Sequence, residues 1–221
     1  MKDYKLNDYF AKYINERCVQ ECEMQMVKGS LYRYYKNPEL FHHECAIYMK
    51  MLDYSPLLNP GIQKINYHIE NMQTFRSYIS KISSKEVPFV INDVFNYILT
   101  LQSKSFVHGN LHVDNLFIHK KKRKFYILDF VNAYHKSVPV PKSFKRSSFL
   151  GEFSMKEQLN LLQYWDIFTF YLSLKSLLTK KVEIIDKYFF SYIPTSSFKQ
   201  LCSFYEYNNI LCSTSSYLQL N

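Results

Sequence analysis

The stretch that most narrows what this chain can fold into runs from His108 to Phe130. It opens with a polar loop, His108-Gly109-Asn110-Leu111-His112-Val113-Asp114-Asn115, and passes into the apolar run Leu116 to His119. The basic run Lys120-Lys121-Lys122-Arg123-Lys124 follows, then a second apolar run, Phe125 to Leu128, and then Asp129-Phe130. Two short β-prone runs joined by a charged turn read as a hairpin. A hairpin brings its chain back to where it started, so Asp129 is expected to lie beside Asn115.

The flanking segments can be read from the same local signals. Glu23 to Lys36 is predicted to form another β-hairpin, turning near Lys28-Gly29-Ser30. Asn37-Pro38-Glu39 starts a helix, with an Asn cap, Pro at the first helical position and an acid in the first turn. That helix is expected to run to about Leu52, with Glu44 on the apolar face beside Ile47, Tyr48 and Met51. A loop is predicted through Pro56, Asn59, Pro60 and Gly61, then a strand over Ile65 to Ile69 that leads into Glu70-Asn71-Met72. Val90, Val94, Ile98 and Leu101 mark an amphipathic helix. Val131 to about Phe153 is polar, basic and proline-containing, and reads as a loop. Met155 to Leu178 becomes apolar nearly all round in its second half, as a buried helix does. The residues beyond it carry no pattern that decides between helix and coil.

Composition sets the outer bounds. The chain has 221 residues, of which 47% are hydrophobic and 18% aromatic, enough for a sizeable core in one domain or two small lobes sharing a cleft. The richest apolar run, Ile167 to Leu178, is interrupted by Thr169, Ser173, Lys175 and Ser176. No membrane insertion is therefore expected, and the location read from the sequence is intracellular, cytoplasmic or nuclear. Cys18, Cys22, Cys45, Cys202 and Cys212 are scattered and odd in number, which suits reduced thiols. The net charge of +9 is concentrated at Lys120 to Lys124 and from Lys136 to Arg146. Such a surface attracts phosphate, and a solvated turn is the plainer reading of the lysine run.

The loop and the carboxylate beyond the hairpin together resemble the catalytic loop of protein kinases, His-x-Asp-x-x-x-x-Asn, followed by the metal-binding Asp-Phe-Gly. Other segments fall in kinase order. Met24-Gln25-Met26-Val27-Lys28 resembles the strand whose lysine grips the nucleotide phosphates, with Lys36 as the competing choice. Glu44 resembles the helix glutamate that pairs with that lysine, and Glu70-Asn71-Met72 resembles the hinge whose backbone meets the adenine. Asp166 resembles the buried acid that braces the catalytic loop. The resemblance implies an α+β, bilobal protein-kinase-like fold with a reduced N-lobe and a shortened helical C-lobe. Residues 1–72 would form the N-lobe and hinge, and residues 73–221 the C-lobe. It also implies ATP and Mg2+ as cofactors, with Asn115 and Asp129 as metal ligands and His108 and Asn110 at the catalytic positions. His108-Gly109 and His112 look like the aminoglycoside and choline kinase branch or the haspin-like kinases. Lys28 with Tyr35 to Leu40 looks like the small kinase of the KEOPS complex.

Three positions depart from that pattern. Asn110 stands where the family has its catalytic aspartate, and an amide is a poor proton acceptor. Val131 replaces the glycine after Asp129-Phe130, and no glycine-rich loop precedes Lys28. The expectation is a pseudokinase that binds Mg-ATP, or a weak atypical kinase transferring the γ-phosphate to a hydroxyl, a protein Ser/Thr in preference to a small molecule. The alternatives are an active atypical kinase that tolerates Asn110, and a basic nucleic-acid-binding module built on the same frame. The partners implied are ATP and a protein substrate or regulatory protein, with nucleic acid the lesser choice.

Overall fold

Alternating side chains in the first third of the chain build an antiparallel sheet. The computed structural model describes residues 22–27, 30–51, 56–130, 133–139, 141, 155–178 and 182–202, in an α+β arrangement. Strands β1 (Cys22–Val27) and β2 (Ser30–Tyr35) pair with Val27 opposite Ser30, as the predicted hairpin requires. Strands β3 (Leu57–Asn59) and β4 (Lys64–His68) complete the sheet in the order β1-β2-β4-β3. The segment around Pro56 to Gly61 was expected to be wholly loop. Leu57–Asn59 is instead a strand, because it pairs with Lys64 to Asn66 across the short 3-10 turn Pro60–Ile62. Cross-strand pairing of this kind outweighs local turn preference.

Helix α1 (Pro38–Lys50) follows β2. Asn37 Oδ1 accepts the Glu39 amide at 2.9 Å, and Pro38 occupies the first turn without wasting a donor. Leu40, Phe41, Glu44, Ile47 and Tyr48 are buried along one face, so Glu44 is carried inward by helical periodicity alone. His43 is buried too, with Nε2 2.8 Å from the Ala133 carbonyl. Cys45, also largely buried, has its thiol pushed up to about 12, by burial first and the Glu44 charge second.

After a turn, β5 (Met72–Thr74) leads into α2 (Phe75–Ile79) and then α3 (Val87–Ser103). Val87, Ile91, Val94, Phe95, Ile98 and Leu101 of α3 are buried at helical spacing. Strand β6 (Phe106–Val107) opens the polar loop, and β7 (Leu116–His119) pairs with β8 (Phe125–Ile127) in the predicted hairpin. β5 adds to the other edge of β7, giving a three-stranded sheet. The intervening basic turn is exposed from Lys120 to Lys124 and held in shape by its backbone, with the His119 amide 2.9 Å from the Lys124 carbonyl and the Arg123 amide 2.9 Å from that of His119. Tyr134–His135 forms β9, a two-residue strand against β6 inside the segment expected to be loop. The rest of that segment lies largely outside the described residues.

Helix α4 (Met155–Leu177) is buried through Ile167, Phe168, Phe170, Tyr171 and Leu174, as its composition predicts. Where the sequence left the C-terminal part open, α5 (Val182–Tyr192) and a helical stretch over 195–202 pack against α4. Tyr171 stacks on Phe189 with ring centres 3.8 Å apart, and Phe198 meets the edge of Phe189 at 5.5 Å. Phe170 bridges Phe75 of α2 and Phe95 of α3. Among the described residues, no helix is long and apolar enough to cross a membrane.

Candidate functional site

The polar loop between β6 and β7 is fixed from beneath by α4. Asp166 accepts the His108 amide at 2.6 Å and the Gly109 amide at 2.9 Å, and the neighbouring Trp165 donates its Nε1–H to the Gly109 carbonyl at 2.9 Å. Gly109 has φ 79°, a left-handed conformation that glycine enters without penalty. About two turns further along α4, Ser173 Oγ accepts the Val113 amide at 3.2 Å. These polar side chains lie in a buried helix because loop amides need acceptors there. Burial drives the Asp166 carboxyl up to about 7, against the opposing pull of the two amides.

His108 ties the loop to the far side of the hairpin. Its Nε2 lies 3.0 Å from the Leu128 carbonyl, and its Nδ1 accepts the Asn110 amide at 3.3 Å. A donor at Nε2 and an acceptor at Nδ1 define the neutral ring. Complete burial, only partly countered by the Asp129 charge, brings its pKa down to about 4. His108 is therefore a strut between strands. Asn110 is half-buried, and its carbonyl accepts Nδ2–H of Asn115 at 3.0 Å. The Leu128 amide meets the Asn115 carbonyl at 3.0 Å, so the hairpin sets Asp129 next to the loop as its geometry demands.

Asp114, adjacent to Asn115, is gripped by Arg76 through two bonds of 2.7 and 2.8 Å. Partial burial opposes its charge, but His112 and Arg76 overcome that and hold the carboxyl below the usual carboxylate range. A carboxylate so committed is a weak base.

The corner around Asp129 holds what the sequence reading passed over. Asp129 has φ 70°, a left-handed backbone that costs an L-residue about 1–2 kcal/mol and calls for compensating contacts. Arg33, projecting from the middle of β2, supplies the chief one. Its Nη1 donates to Asp129 Oδ1 and stands 3.7 Å from Glu44 Oε2. Arg33 is 1% exposed, Glu44 0% and Asp129 8%, so the group is shut away from water. Glu44 also accepts the Tyr35 hydroxyl, the Tyr67 hydroxyl at 2.6 Å and the Phe130 amide at 3.0 Å. Burial works to raise the Asp129 carboxyl, yet the Arg33 guanidinium outweighs it and holds the group below its ordinary value. Phe130 seals the corner, with its ring edge-on to Tyr48 at 4.6 Å and to Phe106 at 5.3 Å.

The sequence-predicted residues thus divide. His108, Asn110, Asn115, Asp129, Glu44 and Asp166 converge on one corner. Lys28 lies outside the described residues, and Lys36 is exposed at the bend after β2. Strand parity carries Arg33 inward: it shares a face with buried Tyr35, and Lys36, one residue past the strand, falls off that face. This alternation was the available signal for Arg33. Trp165 and Ser173 carried none beyond their unusual polarity in an apolar helix. Glu70 is exposed in a turn, and the Met72 amide already donates to the Ile69 carbonyl at 2.9 Å. The Asn71 carbonyl accepts the Lys120 amide at 2.9 Å, so this connection braces the basic turn.

Asn115 and Asp129 offer an amide oxygen and a carboxylate, hard donors of the kind magnesium takes. Among the described residues no three His, Cys, Asp or Glu side chains form a metal-holding group. The Asp129 carboxylate is already paired with a buried guanidinium. The residues match a magnesium ion in type, and they do not fit it in charge. Compared with protein-family models the chain matches none, and no curated protein matches its sequence.

Proposed function

We propose that this chain is a protein-kinase-like pseudokinase: a bilobal frame of the phosphotransfer type that has lost phosphoryl transfer and acts by binding, as a regulator of a protein partner. On this reading the sheet β1–β4 with α1 is the reduced N-lobe, and the helices with the β7–β8 hairpin are the C-lobe. The observation that carries it is a loop fully braced by Asp166, His108, Trp165 and Ser173 with an amide, Asn110, at the one position where the chemistry needs a carboxylate. Losing a general base costs about 10²–10⁴-fold in rate. Asp114 does not replace it, since Arg76 holds that carboxylate. ATP remains the ligand such a frame would take, and the divalent ion is the one member of the family's set that suits this corner poorly.

The test combines two measurements on purified protein. Thermal melts with and without ATP, in the wild type and Asp129→Ala, read nucleotide binding. Phosphate transfer from labelled ATP to a broad acceptor panel, in the wild type and Asn110→Asp, reads catalysis. A melt raised by ATP with no transfer from the wild type is the expected result. Robust transfer by the wild type, abolished in Asp129→Ala, would overturn the proposal in favour of an active atypical kinase.

A further inference from the structure

We propose that Arg33 is a built-in cation that takes the place of a divalent metal in this corner, so that the site is complete without magnesium. The inference rests on the kinase-like reading only in taking Asn115 and Asp129 as the corner where such a frame would hold a metal. A single atom carries the argument. Arg33 Nη1 is within ion-pair reach of both Asp129 Oδ1 and Glu44 Oε2, so one positive centre already bridges the two buried carboxylates. Metal ions bridge carboxylates in this way, and a second cation placed there would meet the first at close range in a site shielded from water.

Arginine suits such a role where lysine would not. Lysine sheds its proton readily when buried, whereas the guanidinium stays charged. Burial opposes the Arg33 charge here, and Asp129, Tyr35 and Glu44 more than restore it. The side chain is also anchored. Its residue pairs with Met24 on one side and Ile65 on the other, in the interior of the sheet, and its guanidinium lies 5.5 Å from the Tyr35 ring centre.

The experiment uses magnesium chloride alone against sodium chloride of matched ionic strength, read as melting temperature of the full chain. Wild type, Arg33→Met, Asp129→Asn and the double variant Arg33→Met/Asp129→Asn are compared. Magnesium should do no more for the wild type than its salt control. Arg33→Met should melt lower and recover with magnesium, by about 5–10 °C once the ion is near a hundredfold above its dissociation constant. The double variant should not respond. Specific stabilisation of the wild type, lost in Asp129→Asn, would overturn the proposal. So would a folded Arg33→Met protein that ignores magnesium, since that corner would then have no use for a metal. If Arg33→Met does not fold, the wild-type and Asp129→Asn arms still decide. No nucleotide enters the measurement, so a failure of the pseudokinase reading through absent ATP binding or active transfer remains separately visible.

Discussion

Replacing Arg33 with methionine tests the electrostatic heart of the fold, and its cost can be worked out in advance. The substitution keeps most of the buried hydrocarbon and removes the charge, leaving Glu44 and Asp129 facing each other behind a sheet. Glu44 keeps the Tyr35, Tyr67 and Phe130 donors. Asp129 loses the partner that holds its carboxyl down, so burial, the largest influence on it, then prevails and raises it. The penalty at a given pH is capped by the cost of protonating Asp129, about 1.4 kcal/mol for each pH unit above its ordinary value near 4. That amounts to about 4 kcal/mol at pH 7 and about 1 to 2 kcal/mol at pH 5, and it agrees with the roughly 3–5 kcal/mol typical of breaking a buried pair. The signs are consistent. In the wild type the depressed Asp129 contributes stability above its unfolded pKa and loses it as pH falls. In the variant a raised Asp129 loses stability as pH rises from about 4, so the gap widens towards neutrality. Urea unfolding of both proteins at pH 5, 6 and 7 measures it directly, and at pH 7 the melting temperature should fall by about 8–16 °C. Adding Asp129→Asn should recover most of the loss, which a double-mutant cycle would report as coupling. A gap below about 1 kcal/mol at pH 7, or one that does not change with pH, would refute the reasoning.

Two further predictions follow from the loop and the helix that precedes it. Between pH 4 and 6.5 the folded chain holds a proton on Asp166, whose pKa is raised to about 7, while the unfolded chain holds one on His108, whose folded pKa is lowered to about 4. The two contributions cancel, so Asp166→Asn should uncover stability that rises with pH across that window, and His108→Asn the opposite slope; chemical denaturation at four pH values reads both, and slopes equal to the wild type would refute the assignment. Ser105 closes α3 at φ 62°, where glycine is at ease, so Ser105→Gly should raise the melting temperature by about 2–4 °C, and a fall would show that the Ser105 side chain contributes more than its backbone strain costs.

Much of this architecture could be read from local pattern. The β7–β8 hairpin, the capped start of α1 and the apolar second half of α4 each depend on neighbours within a turn or a strand, and each formed as expected. The inward turn of Glu44 followed from helical spacing alone. What the sequence concealed depends on partners far along the chain. Arg33 meets an aspartate 96 residues away, and nothing near Arg33 announces that pairing beyond the parity it shares with Tyr35. Resemblance points to Lys28 or Lys36 for a phosphate-gripping cation, whereas strand alternation carries Arg33 inward beside Tyr35. The strands β3 and β9 exist only because partner strands receive them. Ser173 looked like an interruption of an apolar helix until the Val113 amide supplied its purpose.

The reach of the Glu44 network also governs how the chain is made. Glu44 is synthesised 86 residues before Phe130, whose amide it will accept, an interval of about 4–17 s at ordinary elongation rates of about 5–20 residues per second. Through that interval Arg33 and Glu44 would lack the Asp129 and Phe130 partners that they have in the folded chain. Charge on a face destined for the interior discourages the edge-to-edge pairing that makes bare strands aggregate. On that basis Arg33 and Glu44 would hinder edge-to-edge pairing of the nascent sheet until Asp129 and Phe130 are made and can bury them.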